Sequence, residues 1–169
     1  MNWEIISGWI EHNSGLASWV QAIGSIAAIL AAIFIANRDS RLRRKAESEL
    51  RQGAIDRVVI VISDAEKRVL AAIHSLEKWG VRRNAMSLIA IDLDQSQQHL
   101  KETLSIQGVD SAIYTQIFVA RAGVETAAQT FKVLAGLSDS DQLNVDTAKN
   151  ALGEIVSARD AINLMKRKH

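Results

Sequence analysis

Cysteine and proline are both absent from this chain of 169 residues. Without cysteine there is no disulfide framework, no thiolate metal site and no cysteine nucleophile. Without proline there is no residue that breaks a helix interior or punctuates a loop by removing a backbone donor. Aromatic residues are few, with one Tyr, three Phe and four Trp, and histidine occurs four times. What remains is rich in Ala, Ile, Leu, Val, Gln, Glu, Arg and Lys, the residues that lose least in a helix, so the chain reads as mostly long helices. The net charge of +1 points to no partner class. Its distribution along the chain is more informative.

Charge is missing altogether from residues 16–36, a run of 21 residues reading LASWVQAIGSIAAILAAIFIA. As a helix this run covers roughly 30 Å, the thickness of a bilayer core, which predicts a transmembrane helix over 16–37. Trp19 near one end suits the interface. A buried core helix is the alternative, but core helices of this length normally carry a polar stripe. A cleaved signal peptide needs a basic segment before the apolar run. Residues 1–15 have no Lys or Arg, only Glu4, Glu11 and His12, whereas Arg38, Arg41, Arg43, Arg44, Lys45 and Arg51 come after the run. The positive-inside rule then puts residues 1–15 outside and the rest of the chain in the cytoplasm, and a single-pass protein of the bacterial inner membrane is the expectation.

Ser18, Gln21, Ser25, Ala28 and Ala32 recur at helical spacing and share one face of this segment, with Gly24, Ala27 and Ala31 beside it. Ile23, Ile26, Leu30, Ile33 and Phe34 occupy much of the other side. Small residues let helix backbones approach, and an amide facing lipid alone is costly. The helix is therefore expected to pack against copies of itself or a partner with Gln21 and Ser25 turned inward. Two readings of the stripe stand: packing only, or the lining of a narrow pore in a ring of copies. Residues 2–11 place Trp3, Ile6 and Ile10 on one helical face beside Trp9, and Ser14 is a candidate cap for the apolar helix. A short amphipathic helix on the outer surface, an outer plug in an oligomer, and a Trp-anchored terminus all fit this pattern.

No break signal separates the apolar run from the juxtamembrane segment 38–53, whose residues 38–51 hold six basic and three acidic residues. Such a band interacts with anionic lipid head groups at about 1 kcal/mol for each Lys or Arg. The sharper reading is a site for a polyanion such as nucleic acid. In a ring of copies the band becomes a positive collar that favours anions in a pore.

Residues 54–169 read as four amphipathic helices. Ile55, Val58, Val59, Ile62, Val69, Ile73 and Leu76 recur at spacings of three and four, as an amphipathic helix or a coiled-coil seam, and Gly80 is the expected stop. A weaker helical pattern over 81–104 carries Leu88, Ile89, Leu93, Leu100 and Leu104 and breaks at Gly108. Asp110 or Ser111 is the expected cap of a third helix through Ile113, Ile117, Phe118, Val124, Ala128, Phe131 and Leu134 to Gly136. The last helix is expected from near Ser140, burying Ala148, Leu152, Ile155, Val156 and Ile162 before the basic tail KRKH. Short loops between these helices predict an all-α antiparallel bundle without a second domain.

Catalytic patterns are missing as well. His12, His74, His99 and His169 are scattered and form no metal-binding spacing, and no phosphate-cradling glycine loop occurs. Asp92 and Asp94 before His99 diverge on a helix and read as surface residues. Lys78, Arg82 and Arg83 form a second basic spot around Trp79, where an aromatic ring with arginines can stack a base and hold phosphate; a Trp covering the bundle end is the plainer reading. Arg121 lies in a mainly apolar helix and is expected to pair with an acid or face a central axis. No cofactor or metal is called for, and the expected function is binding, assembly or permeation rather than catalysis.

The run WVQAIGSIAAILAAIFIA, joined at once to a basic helix with a helical domain behind it, resembles small single-span membrane effectors of bacterial antiphage systems, Hailong-type channel effectors among them. The resemblance lies in architecture over the whole chain. It implies a homo-oligomeric channel held shut by single-stranded DNA that a partner nucleotidyltransferase makes, with Arg41, Arg43, Arg44, Lys45, Arg82 and Arg83 as candidate DNA contacts. The competing expectation is a membrane-anchored scaffold or adaptor that recruits a cytoplasmic partner protein; a structural coiled coil on the 55–76 seam is the third.

Overall fold

The computed structural model of the chain describes residues 14–80, 82–136 and 145–167. It is all-α, with α1 over Ser14–Trp79, α2 over Arg83–Thr103, α3 over Ser111–Gly136 and α4 over Asp146–Arg167. Two compact units divide within α1, Met1–Ala46 and Glu47–His169. The segment 2–11, the cap expected of the Ser14 side chain, and the helix start expected near Ser140 lie outside the described residues.

In the unit Glu47–His169 the helices form an antiparallel bundle, as the cross-links between them require. Arg68 and Trp79 of α1 meet Asp92 of α2 and Arg82 at its start, so position in α1 rises as position in α2 falls. Asp94 and Gln97 of α2 meet Lys132 and Glu125 of α3 in the same descending order. Asp56, Glu66 and Glu77 of α1 meet Lys166, Arg159 and Lys149 of α4. The apolar period of α1 does what periodicity of 3.6 requires: Ile55, Val58, Ile62, Val69, Ile73 and Leu76 are buried, joined by Ala54, Ala65 and Ala72. On α3, Ile113, Ile117, Val124, Ala128, Phe131 and Leu134 are buried as expected, but Phe118 is 54% exposed. On α2 the core positions are Met86, Ala90, Leu93 and Leu100, whereas Leu88 is 67% exposed. On α4 the core is Ala148, Ala151, Ile155, Ala158 and Ile162, with Leu152 and Val156 only half-buried.

The helix ends follow local chemistry. At Gly80 the backbone turns left-handed at φ 68°, and its N–H donates to the Leu76 carbonyl at 2.9 Å, which closes the last turn of α1. Past Thr103 the amides of Leu104, Ser105 and Ile106 donate three residues back, a tightening that ends at Gly108 with φ 95°. The Asp110 carboxylate then accepts from the Ile113 amide at 2.9 Å and caps α3. The two buried hydroxyls of α2, Ser96 and Thr103, donate to the Asp92 and His99 carbonyls one turn earlier, so neither is left unpaired in the core.

Two glycines mark where backbones touch. A Cβ on Gly123 would lie 2.8 Å from Ile155 Cγ1 and 2.9 Å from the Ala151 carbonyl oxygen, so at this point α3 packs directly on the Ile155 side chain and the α4 backbone. A Cβ on Gly108 would overlap the Leu50 carbonyl, with its carbon at 2.6 Å, in a backbone conformation that side chains rarely adopt. Gly123→Ala should therefore lower bundle stability by about 1–3 kcal/mol through overpacking, and Gly108→Ala by more, because strain adds to overlap. Gly153→Ala, where nothing lies within 4 Å, supplies the control. Urea unfolding of the three variants checks the order; a Gly123→Ala protein as stable as the Gly153→Ala one would contradict the close crossing.

Candidate functional site

Three groups of residues carry the chemistry, two in the unit Met1–Ala46 and one in the unit Glu47–His169. The first is the apolar part of α1. It is the one stretch among the described residues long and apolar enough to cross a membrane, and none of it is buried. Trp19, Ile23, Ile26, Ile29, Leu30, Ile33 and Phe34 are all more than half exposed. The helix places Ser18, Gln21, Ser25, Ala28 and Ala32 on one face, as their spacing requires. The Ser25 hydroxyl donates to the Gln21 carbonyl at 2.9 Å, a bond within the helix that satisfies it without a partner. The Gln21 side-chain amide has no hydrogen-bond partner among the described residues. Gln21 is thus the group on this face whose needs the single chain does not meet.

The second group is the basic band. Arg38, Arg41 and Lys45 recur at i, i+3 and i+7 and share a face of α1 in exposed positions. Arg43 points elsewhere and pairs with Asp39 at 3.0 Å, one turn back, an exposed pair worth about 0.3–0.5 kcal/mol. Arg41 and Arg44 make no ion pair with a described residue. Arg51, counted with the band from its sequence position, belongs to the bundle instead. Its Nε donates to Asp110 Oδ2 at 2.7 Å, with 27% of its side chain exposed. The sequence carries a signal of this: Arg51 sits one turn before Ile55, on the apolar face of α1.

Asp110 accordingly does two jobs, capping α3 and holding Arg51 against the loop that touches Leu50. Burial pushes its carboxyl up, but the Ile113 amide, the Arg51 guanidinium and the Ala112 amide outweigh burial and hold it below its ordinary range. A carboxyl lowered in the folded state contributes stability above its unfolded pKa and loses it as pH falls through the folded one. Wild-type stability should therefore drop on acidification below about pH 4, in the carboxylate range. Asp110→Asn should lose part of this drop and unfold about 1 kcal/mol more easily at neutral pH, as for a weakened cap. Urea midpoints at pH 7 and pH 3 test it; an Asp110→Asn protein with the wild-type pH slope would remove Asp110 from the account.

The third group surrounds Trp79 at the α1–α2 junction. The ring is 60% exposed, so it does not cover the bundle end. Lys78 Nζ and the Arg82 guanidinium carbon lie 5.0 and 5.9 Å from its centroid, both within cation–π range. Beside the ring a cavity of about 310 Å³ is lined by Ser75, Arg82, Ala85, Met86 and Ile89 among others. The side chain of Arg83, the other arginine expected here, lies outside the described residues.

Of the remaining candidates, the two aspartates of α2 hold helices together. Asp92 and Asp94 diverge on α2 as expected, but each is engaged: Asp92 takes Arg68 of α1 and Asp94 takes Lys132 of α3. Arg121 finds no acid among the described residues, and its Nε is buried without an acceptor. No cluster of three His, Asp or Glu side chains suited to a metal occurs among the described residues. Comparison with protein-family models, curated proteins and solved structures yields no match.

Proposed function

We propose that the protein is a homo-oligomeric channel of the bacterial inner membrane, with 16–36 spanning the bilayer, residues 1–15 outside, and a cytoplasmic bundle that gates the pore. The observation that carries this reading is Gln21. An apolar helix with no buried surface of its own presents an amide without a partner, on a face otherwise made of Ser and Ala. In hydrocarbon that amide is stabilised by a neighbouring helix or by water in a pore, and the small residues beside it allow close approach. The orientation rests on the absence of Lys and Arg in 1–15 and on the exposed band at Arg38, Arg41, Arg44 and Lys45. In an oligomer that band forms a ring, which favours anion flow and offers contacts to a polyanion. Single-stranded DNA or a nucleotide is the gating ligand proposed, and arrest of an infected cell by opening the membrane is the role proposed.

Conductance of the purified full-length protein in a planar bilayer tests the reading. Discrete steps are expected, with Gln21→Leu reducing or abolishing them. Arg41→Glu combined with Arg44→Glu should move the reversal potential in a salt gradient toward cations. A bilayer that stays silent after nuclease treatment and across applied voltage would replace the channel with the membrane-anchored scaffold. In that case exchange of 16–36 for a poly-Leu anchor should leave function intact.

A further inference from the structure

The four seams of the bundle are closed in different ways, and one is left partly open. The α2–α3 seam is bridged by Lys132 to Asp94 at 2.8 Å and by Gln97 to Glu125 at 2.8 Å. Along α1–α4 run Lys166 to Asp56 at 2.8 Å, Arg159 to Glu66, and Lys149 to Glu77 at 2.6 Å. The α3–α4 seam is shut by the backbone contact at Gly123. Arg51 reaches past α2 to Asp110 at the start of α3, and the α1–α2 seam itself is tied by the ion pair Arg68–Asp92. From there to Arg82 no ion pair joins the two helices among the described residues.

That stretch is a shallow groove, apolar along Leu88 and Ile89 and bordered at one end by Lys67 and the Arg68–Asp92 pair. Two adjoining cavities, of about 310 and 410 Å³, share Ser75 and Ile89 and extend from Lys67 to Trp79 along α1. Ala71, Ser75 and Trp79 stand at i, i+4 and i+8, a straight row of about 12 Å. Ala85 faces them from α2, so the floor is made of small side chains. The walls are Leu88, 67% exposed, and the Trp79 ring. Around the groove Lys67, Lys78 and Arg82 make no ion pair with a described residue, as is also true of Arg57, Lys101 and Arg167 elsewhere; what sets the groove apart is that these cations stand beside exposed Leu88 and Trp79.

We propose that the α1–α2 groove between Ala71 and Arg82 docks an acidic amphipathic helix of a partner protein. A helix laid in a groove is anchored by apolar residues at i, i+3, i+4 and i+7. Here those anchors meet Leu88, Ile89 and Trp79, and carboxylates flanking them meet Lys67, Lys78 and Arg82. Charge selects the occupant. Two copies of this chain joined groove to groove would set Lys67, Lys78 and Arg82 against their own counterparts, which opposes association. The proposal rests on the unit Glu47–His169 alone and holds whether or not 16–36 forms a pore.

The test uses full-length protein in nanodiscs and a fluorescent three-heptad peptide helix with Leu on one face and Glu elsewhere, read by anisotropy. The expected result is saturable binding, weakened about tenfold by Leu88→Glu, the effect of losing one central anchor. Lys78→Glu combined with Arg82→Glu should weaken it similarly, and the same peptide with Lys in place of Glu should bind less. Leu164→Glu, at a comparably exposed leucine on α4, should leave binding unchanged. Because Leu88 is exposed, Leu88→Glu should keep the wild-type thermal midpoint, which separates lost docking from lost folding. Absence of binding, equal binding of the Lys peptide, or equal binding to the Leu88→Glu protein overturns the proposal. So does a peptide-independent change in oligomeric state on Leu88→Glu, which would make the occupant a second copy.

Discussion

The approach of Gly108 to the Leu50 carbonyl is the constraint from which the rest of the bundle is spaced. With no side chain between them, the α2–α3 loop touches the backbone of α1 itself, and its position cannot slide without a clash. Asp110 lies two residues on, close enough to hold Arg51 and still cap α3 through the Ile113 amide. With one end of α2 fixed at Leu50, antiparallel pairing places Asp92 at Arg68 and brings Arg82 beside Trp79. With α3 started at Asp110, its pairing with α2 puts Lys132 at Asp94. The second backbone contact, at Gly123, then sets α4 against α3.

Much of this was legible in the residues, and the reasons differ by element. Gly80, Gly108 and Asp110 were readable as boundaries because each performs a local task, a left-handed turn or a side-chain cap, that needs no tertiary contact. The α1 core was readable because Ile, Val and Leu mark its buried stripe almost alone. The periodicity misled where the core is alanine. On α4 the buried row contains Ala151 and Ala158 besides the expected Ala148, and on α2 it contains Ala90, residues that carry little hydrophobic signal and allow helices to pack closely. The larger Leu88, Leu152 and Val156 drew attention to flanks instead. Phe118 was misplaced for a related reason, since Ile117 beside it takes the core position.

The candidate sites were legible in composition and less so in assignment. The stripe at Gln21 and Ser25 follows from helix geometry alone, but the Ser25 hydroxyl closes on the Gln21 carbonyl, leaving the amide as the group that asks for a neighbour. A count of basic residues could not tell that Arg51 serves the bundle while Arg41 and Arg44 face solvent, because the acid that claims Arg51 is 59 residues away. Asp92 and Asp94 looked ornamental for the same reason: their partners, Arg68 and Lys132, stand on different helices.

Exposed ion pairs contribute little individually, about 0–1 kcal/mol, so the pairs along the seams are better understood as selecting helix order than as supplying stability. Their uneven use is then informative. The α1–α4 and α2–α3 seams carry matched cations and anions, whereas Lys67, Lys78 and Arg82 beside the α1–α2 groove pair with no described carboxylate, and Lys78 and Arg82 meet the Trp79 ring instead. Exposed Leu88 and Trp79 likewise cost solubility without adding to the core. The same logic applies to Gln21 in the other unit: each is a group whose favourable interactions lie outside the single chain. The two differ in what they require, lipid-excluded close packing at Gln21 and an acidic apolar surface at Leu88. On the function proposed above, the apolar segment and the bundle therefore call for separate partners, one beside Gln21 and one beside Leu88.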